Sequence, residues 1–240
     1  MQRTALITGG SGGIGAAIAR CFGYDGIRVL VHYRNGGEEA AAHVVADIKA
    51  AGGDAFAVQA NVADSRSAPD LFDFAESRFG SVDILVNCAG IMHEAPLAEV
   101  SDEMFEMVLA VNLFGCFHTM REAARRMKTG GRIVNVSSSA LSQSAPGYSS
   151  YNATKGAVEA ITRVLANELA PKGITVNAVA VSPGEAETEI YSHGRYDEIS
   201  PMAGQGNNRS ADIVGLVKFL ASEKANWIHG QVLRAREDLM

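Results

Sequence analysis

Seven short, nearly continuous apolar runs recur along this chain: TALIT (4–8), RVLVHY (28–33), AFAVQ (55–59), DILVNCA (83–89), RIVNVSS (132–138), ITVNAVAV (174–181) and GQVLRA (230–235). Runs of this length without polar alternation fit strands buried on both faces. Between them lie amphipathic stretches at about 13–23, 38–51, 68–79, 101–127, 149–170 and 210–221. In the fifth, Ala157, Ile161, Val164, Leu165 and Leu169 repeat at the spacing of a one-faced helix. Ser101 or Asp102 stands where a cap for the fourth belongs. Strand–helix alternation predicts an α/β fold, a doubly wound, Rossmann-type parallel sheet of seven strands in the order 3-2-1-4-5-6-7, with helices on both faces. No linker or repeat interrupts the rhythm, so one domain over 1–240 is expected. The segment 182–209 departs from it, rich in Gly, Ser, Asn and charge and carrying Pro183 and Pro201. An irregular stretch of that length is expected to be a functional lid or a disordered stretch, with the lid as the preferred reading.

Composition narrows the partners. With 240 residues, 47% of them hydrophobic, the chain can bury one large core. A net charge of −6 and the lack of a Lys/Arg-rich run argue against nucleic acid or an anionic membrane surface. No apolar stretch is long enough to span a bilayer, and MQRTALITGG enters a strand without room for a secretory leader. Cys21, Cys88 and Cys116 are odd in number and far apart, as small buried hydrophobes in a reducing compartment would be. The 6 histidines show no HExxH or HxxEH spacing, so no protein-built metal site is expected. The expectation is a cytoplasmic protein acting on a small molecule.

The first run is followed by TGGSGGIG (8–15), which opens the first helical stretch. Gly9, Gly13 and Gly15 fit T-G-x-x-x-G-x-G, and Gly10, Gly12 and Gly15 fit G-x-G-x-x-G. Glycines let a backbone turn tightly and approach a pyrophosphate, whose charge rests at a helix N-terminus. Ser11 and Ile14 complete this candidate dinucleotide loop. The same letters fit a hydrolase nucleophile elbow around Ser11, but no preceding strand supplies its second oxyanion N–H. At the end of the second strand, an acid would accept from the ribose 2′-hydroxyl of NAD(H), and an arginine would accommodate the 2′-phosphate of NADP(H). HYRN (32–35) has no acid and offers Tyr33 and Arg34, which favours NADP(H) with NAD(H) as the alternative.

A second stretch carries chemistry. In YSSYNATKGAVEA (148–160), Tyr151 and Lys155 are four apart and share a helix face. A tyrosine exchanges protons near neutrality only if it is acidified by about 4 kcal/mol. One cation about 4 Å away contributes on the order of 4 kcal/mol at an effective dielectric of ~20. Ser138, upstream of Tyr151, offers a hydroxyl donor to negative charge developing on a substrate oxygen. Together with the glycine loop, these residues point to hydride transfer between NAD(P)(H) and a carbonyl, with Tyr151 protonating the oxygen.

With these motifs the chain resembles the short-chain dehydrogenase/reductase family over nearly its whole length. NCAG (87–90) is similar to a family motif in which Asn87 would hold the sheet while Ala89 and Gly90 pass the adenosine ribose. VNL (111–113) places Asn112 beside Ser138, Tyr151 and Lys155 as the family's catalytic tetrad. The resemblance implies that Lys155 also bonds the nicotinamide ribose. Asn112 would hold a helix kink and a water that relays protons to that lysine. It further implies Asn61 and Val62 at the adenine, and Pro183, Gly184, Ala186 and Thr188 at the nicotinamide carboxamide. The chain departs from the family pattern at several places. Gly12 stands where an arginine is frequent, and Asn61 replaces an aspartate. NAVAVSPG (177–184) is longer than N-x-V-x-P-G by Val181 and Ser182, and REDLM replaces an acid or Asn followed by Gly-Gly. Within the family the likeness is to 3-oxoacyl-[acyl-carrier-protein] reductases, with sugar, polyol or steroid-type alcohol dehydrogenases as alternatives. The family commonly forms homo-tetramers or homo-dimers by pairing the helices at 101–127 and 149–170. The substrate pocket is expected from Met92, His93, Glu94, Leu141, Gln143, Tyr148 and the 185–205 segment; His93 and His193 are candidates for substrate contact, with solvated loop histidines as the preferred reading. A rival class, a dinucleotide-binding regulator with little catalysis, would not need all of Asn112, Ser138, Tyr151 and Lys155.

Overall fold

The computed structural model describes residues 2–144, 146–181 and 209–234, with the backbone alone for 209–211. Its strands are β1 (Thr4–Thr8), β2 (Arg28–Tyr33), β3 (Ala55–Gln59), β4 (Ile84–Asn87), β5 (Arg132–Ser138), β6 (Thr175–Val181) and β7 (Val232–Arg234). They form one all-parallel sheet in the order β3-β2-β1-β4-β5-β6-β7. The α-helices among the described residues are α1 (Gly13–Tyr24), α2 (Glu38–Ala50), α3 (Ser67–Phe79), α4 (Asp102–Val108), α5 (Gly115–Arg126), α6 (Ala140–Gln143), α7 (Ser149–Leu169) and α8 (Arg209–Ala221).

Strand side chains alternate between two cores. Ile7, Val31, Val86 and Val179 pack with Ile18, Phe22, Ile48 and Val217, which puts α1, α2 and α8 on one face. Leu6, Leu30, Leu85 and Ile133 pack with Phe72, Met120 and Leu165, which puts α3, α5 and α7 on the other. Both faces are covered, so the strands read as unbroken apolar runs rather than alternating ones. Each fully buried Leu, Ile or Phe contributes roughly 1.5–3 kcal/mol.

Three features position the site. First, the register sets Leu6 beside Leu30 on one side and Leu85 on the other, so β1 lies between β2 and β4. The chain reverses direction across the sheet there, and such a switch point opens a crevice at the C-terminal strand ends. Second, Ser101 caps α4, its hydroxyl accepting from the Met104 N–H at 3.2 Å. The expected single helix over 101–127 is instead interrupted by a π-helical turn at Leu109–Phe114. Third, a short helix not expected from sequence, α6, follows β5. The expected lid at 182–209 lies outside the described residues up to 208, as does the tail after Arg234. No helix among the described residues is long and apolar enough to cross a membrane.

Candidate active site

The glycine loop takes its shape from two residues in the left-handed region, Gly9 at φ +67° and Gly13 at φ +53°. A β-carbon on Gly9 would lie 2.9 Å from the Ala89 backbone. The loop therefore rests directly on the NCAG segment, and the Thr8 hydroxyl accepts from the Ala89 N–H at 3.2 Å. A side chain at Gly15 would overlap the Gly9 carbonyl. The result is a tight cradle before α1, whose N-cap Gly12 supplies no side chain to satisfy the first-turn N–H groups. Uncapped N–H groups at the positive end of a helix, reached through a loop without side chains, fit a dinucleotide diphosphate.

The adenosine side is built by neighbouring strand ends. A β-carbon on Gly37 would sit 3.4 Å from Ser11 Oγ and 3.1 Å from the Arg34 carbonyl oxygen, so the turn after β2 abuts the glycine loop. Arg34 is exposed there and Tyr33 half-buried. Beyond β3, Asn61 Oδ1 accepts from the Ala63 N–H at 3.2 Å. Val62 is buried against α5, where a side chain on Gly115 would collide with it.

Asn112 lies in the π turn, where helices gain one residue per turn and re-aim side chains. Its amide pairs with the Ile91 backbone in both directions at 2.8 Å, and its Nδ2 also donates to Thr154 Oγ1 at 3.3 Å. Thr154 in turn donates to the Tyr151 carbonyl at 2.7 Å. Lys155 is buried, with Nζ donating to the Val136 carbonyl at 2.8 Å and lying 5.5 Å from the Tyr151 ring centroid. A β-carbon on Gly90 would meet Asn112 Oδ1 at 3.3 Å and Lys155 Nζ at 3.7 Å. Thus Gly90, Asn112, Tyr151 and Lys155 converge at the ends of β4 and β5. Ser138 ends β5, fully buried, its Oγ accepting from the Ala140 N–H at 3.2 Å.

Two outcomes differ from a simple contact set. Asn87 is committed to the core: Nδ2 donates to Asn135 Oδ1 at 2.9 Å and Oδ1 accepts from Thr119 at 2.7 Å. It fixes the end of β4 rather than presenting its amide to a ligand. Cys88 and Cys116 are poor nucleophiles, because burial pushes both thiols up to about 12 against the opposing pull of the Lys155 charge.

The family model for short chain dehydrogenase matches residues 3–198. The chain belongs to the short-chain dehydrogenase family. It is 41% identical over 241 residues to an uncharacterised oxidoreductase of Methylorubrum extorquens, covering 97% of this chain and 96% of the relative. It is 40% identical over 242 residues to a 3-oxoacyl-[acyl-carrier-protein] reductase of Staphylococcus aureus, covering 97% and 96%. Among solved structures, an angucycline C-6 ketoreductase with bound NADP superposes with a TM-score of 0.83 at 36% identity, covering 97% of this chain and 93% of that one.

In this short-chain dehydrogenase, other expected site residues fare unevenly. Tyr148 donates to Glu94 Oε2 at 3.2 Å, which joins two of the expected pocket residues. His93 is half-buried, and its Nδ1 lacks a hydrogen-bond partner among the described residues. Pro183, Gly184, Ala186, Thr188 and His193 lie outside the described residues. Sequence reading gave no role to Thr154, Asn135 and His32. Of these only His32 left a signal, a lone imidazole in the otherwise apolar RVLVHY.

Proposed function

We propose that this short-chain dehydrogenase is an NADP(H)-preferring ketoreductase that interconverts a carbonyl and a secondary alcohol, as one domain over 1–240. The observation that carries the reading is the convergence of Asn112, Tyr151 and Lys155 around Gly90, beside an uncapped helix N-terminus behind a glycine cradle. A bound nicotinamide supplies the hydride. Tyr151 gives its hydroxyl proton to the substrate oxygen, and Ser138 donates a hydrogen bond to the same oxygen as charge develops on it. Lys155, anchored on the Val136 carbonyl, holds positive charge under the tyrosine and reaches the nicotinamide ribose. Asn112 fixes the Ile91 backbone and, through Thr154, the first turn of α7. Arg34 and Ser11 would receive the 2′-phosphate, Asn61 and Val62 the adenine, and Pro183, Gly184, Ala186 and Thr188 the carboxamide.

The substrate we favour is a 3-oxoacyl thioester, supported by the name of the Staphylococcus relative; NADP is supported by the bound ketoreductase neighbour. Phe105, Met107, Phe114, Phe117 and Val164 are all at least 39% exposed on α4, the π turn, α5 and α7, too much apolar surface for a face left in water. We therefore place the homo-dimer or homo-tetramer contact there, in a cytoplasmic enzyme. The test is Tyr151→Phe assayed with NADPH and a ketone panel. Turnover is expected to fall about 10²–10⁴-fold with NADPH affinity and melting temperature kept; full activity in that variant would refute the reading.

A further inference from the structure

His32 lies on β2 and is 2% exposed. Its Nδ1 accepts from the Gly9 N–H at 3.0 Å, and its Nε2 lies 3.1 Å from the Ala60 carbonyl oxygen. A nitrogen that accepts from a backbone N–H carries no proton, so the proton sits on Nε2 and is donated to Ala60. Both partners are backbone atoms at the rim of the dinucleotide crevice. Gly9 is the left-handed residue that lays the glycine loop on Ala89, and Ala60 directly precedes Asn61 and Val62. The Gly10 N–H also donates to the His32 carbonyl at 2.8 Å, so one residue holds the loop by backbone and side chain together.

We propose that His32 is a positioning residue for the dinucleotide, its neutral imidazole bracing the diphosphate loop after β1 against the adenine-binding end of β3. The inference rests on the proposed dinucleotide site. An imidazolium carries N–H on both nitrogens and has nothing with which to accept from Gly9, so protonation releases the loop while leaving the Ala60 bond intact. Among the titratable and charged groups on the elements that flank this face are Asp64, Arg66, Asp70, His118 and Arg34, with Asp73, Glu76 and Arg78 further along α3 and Arg121, Glu122, Arg125 and Arg126 further along α5. Asp64 is paired with Arg66 at 2.8 Å, His118 turns Nδ1 toward the Val62 carbonyl at 3.4 Å, and Asp70 and Arg34 are exposed. Burial lowers the imidazole pKa below the ordinary histidine value, against the opposing pull of the Ala60 carbonyl. The brace is therefore intact at neutral pH and above, and is lost as pH falls through that lowered value.

The test compares wild type, His32→Ala and His32→Asn by NADPH titration and steady-state kinetics across pH. Asn keeps an acceptor near the position of Nδ1 but does not reach Ala60. Leaving the Gly9 N–H without a partner in His32→Ala is expected to raise the NADPH Kd and KM about tenfold or more, with kcat at saturating NADPH within about twofold. His32→Asn is expected to recover most of that loss. Wild-type affinity is expected to fall as the pH drops below the ordinary histidine range, and His32→Asn to lack that limb. Unchanged NADPH affinity in His32→Ala, a loss confined to kcat, or an acid limb persisting in His32→Asn overturns the proposal. Should His32→Ala fail to fold, the acid limb of wild type against His32→Asn decides. A wild type that binds neither NADPH nor NADH would instead overturn the dinucleotide site itself.

Discussion

Lys155 is held from two sides, by the Val136 carbonyl and by the face of Tyr151. These two contacts fix the ammonium beside the tyrosine, so on the proposed mechanism little reorganisation is needed when charge shifts there. Lys155→Met keeps a similar stem and removes the charge. Turnover is expected to drop at least about 100-fold, with the helix preserved, as kcat and a thermal melt would report. Arg34 belongs to a different balance, because it stands exposed and a phosphate there is a charge-assisted partner. Arg34→Glu is expected to weaken NADPH at least about tenfold while NADH holds or tightens, read by paired titrations. Tyr151 and Lys155 were legible in sequence because their relation is local, one helical turn apart. Thr154 and His32 were not, because each acts on backbone or side chains brought in by other elements, and nothing in a short window encodes those neighbours.

At the scale of elements, buried parallel strands announce themselves through continuous apolar runs, and each run became a strand. Runs four, six and seven overshoot: Asp83, Ile174, Gly230 and Gln231 precede their strands, and Cys88 and Ala89 carry on past β4 into the loop under the glycine cradle. The family resemblance placed a helix kink at Asn112, but the apolar periodicity gave no sign of the π turn at Leu109–Phe114. One extra residue in a 25-residue helical stretch (102–126) shifts the apolar face by a single step, which periodicity does not resolve. Its purpose follows from what Asn112 touches: the turn carries the amide to Ile91 and Thr154 while α5 still buries Met120 and Ala123. Deleting exposed Phe114 removes the additional residue without emptying the core. The variant is expected to fold and to bind NADPH, yet to lose about 100-fold or more in kcat, because Asn112 rotates away from Ile91. Wild-type turnover in that deletion would mean the π turn has no part in the chemistry.

For the whole molecule, the crevice at the switch point gathers pieces from the ends of β1, β2, β3, β4 and β5 and from α7. A ligand that binds there ties together segments far apart in the chain and stabilises the folded state by its occupancy. At a concentration about 100 times its Kd, a one-site ligand adds about 2.7 kcal/mol. For a chain of this size that corresponds to a rise in melting temperature of roughly 5–10 °C. NADPH is expected to produce that rise in a thermal shift measurement, and NADH at the same concentration a smaller one, because the proposed pairing of Arg34 with the 2′-phosphate has no counterpart on the bare ribose. In Arg34→Glu the ordering should reverse. Equal shifts by both dinucleotides in the wild type would place their recognition on the diphosphate cradle alone, which is common to both, and would remove the arginine from the account of preference.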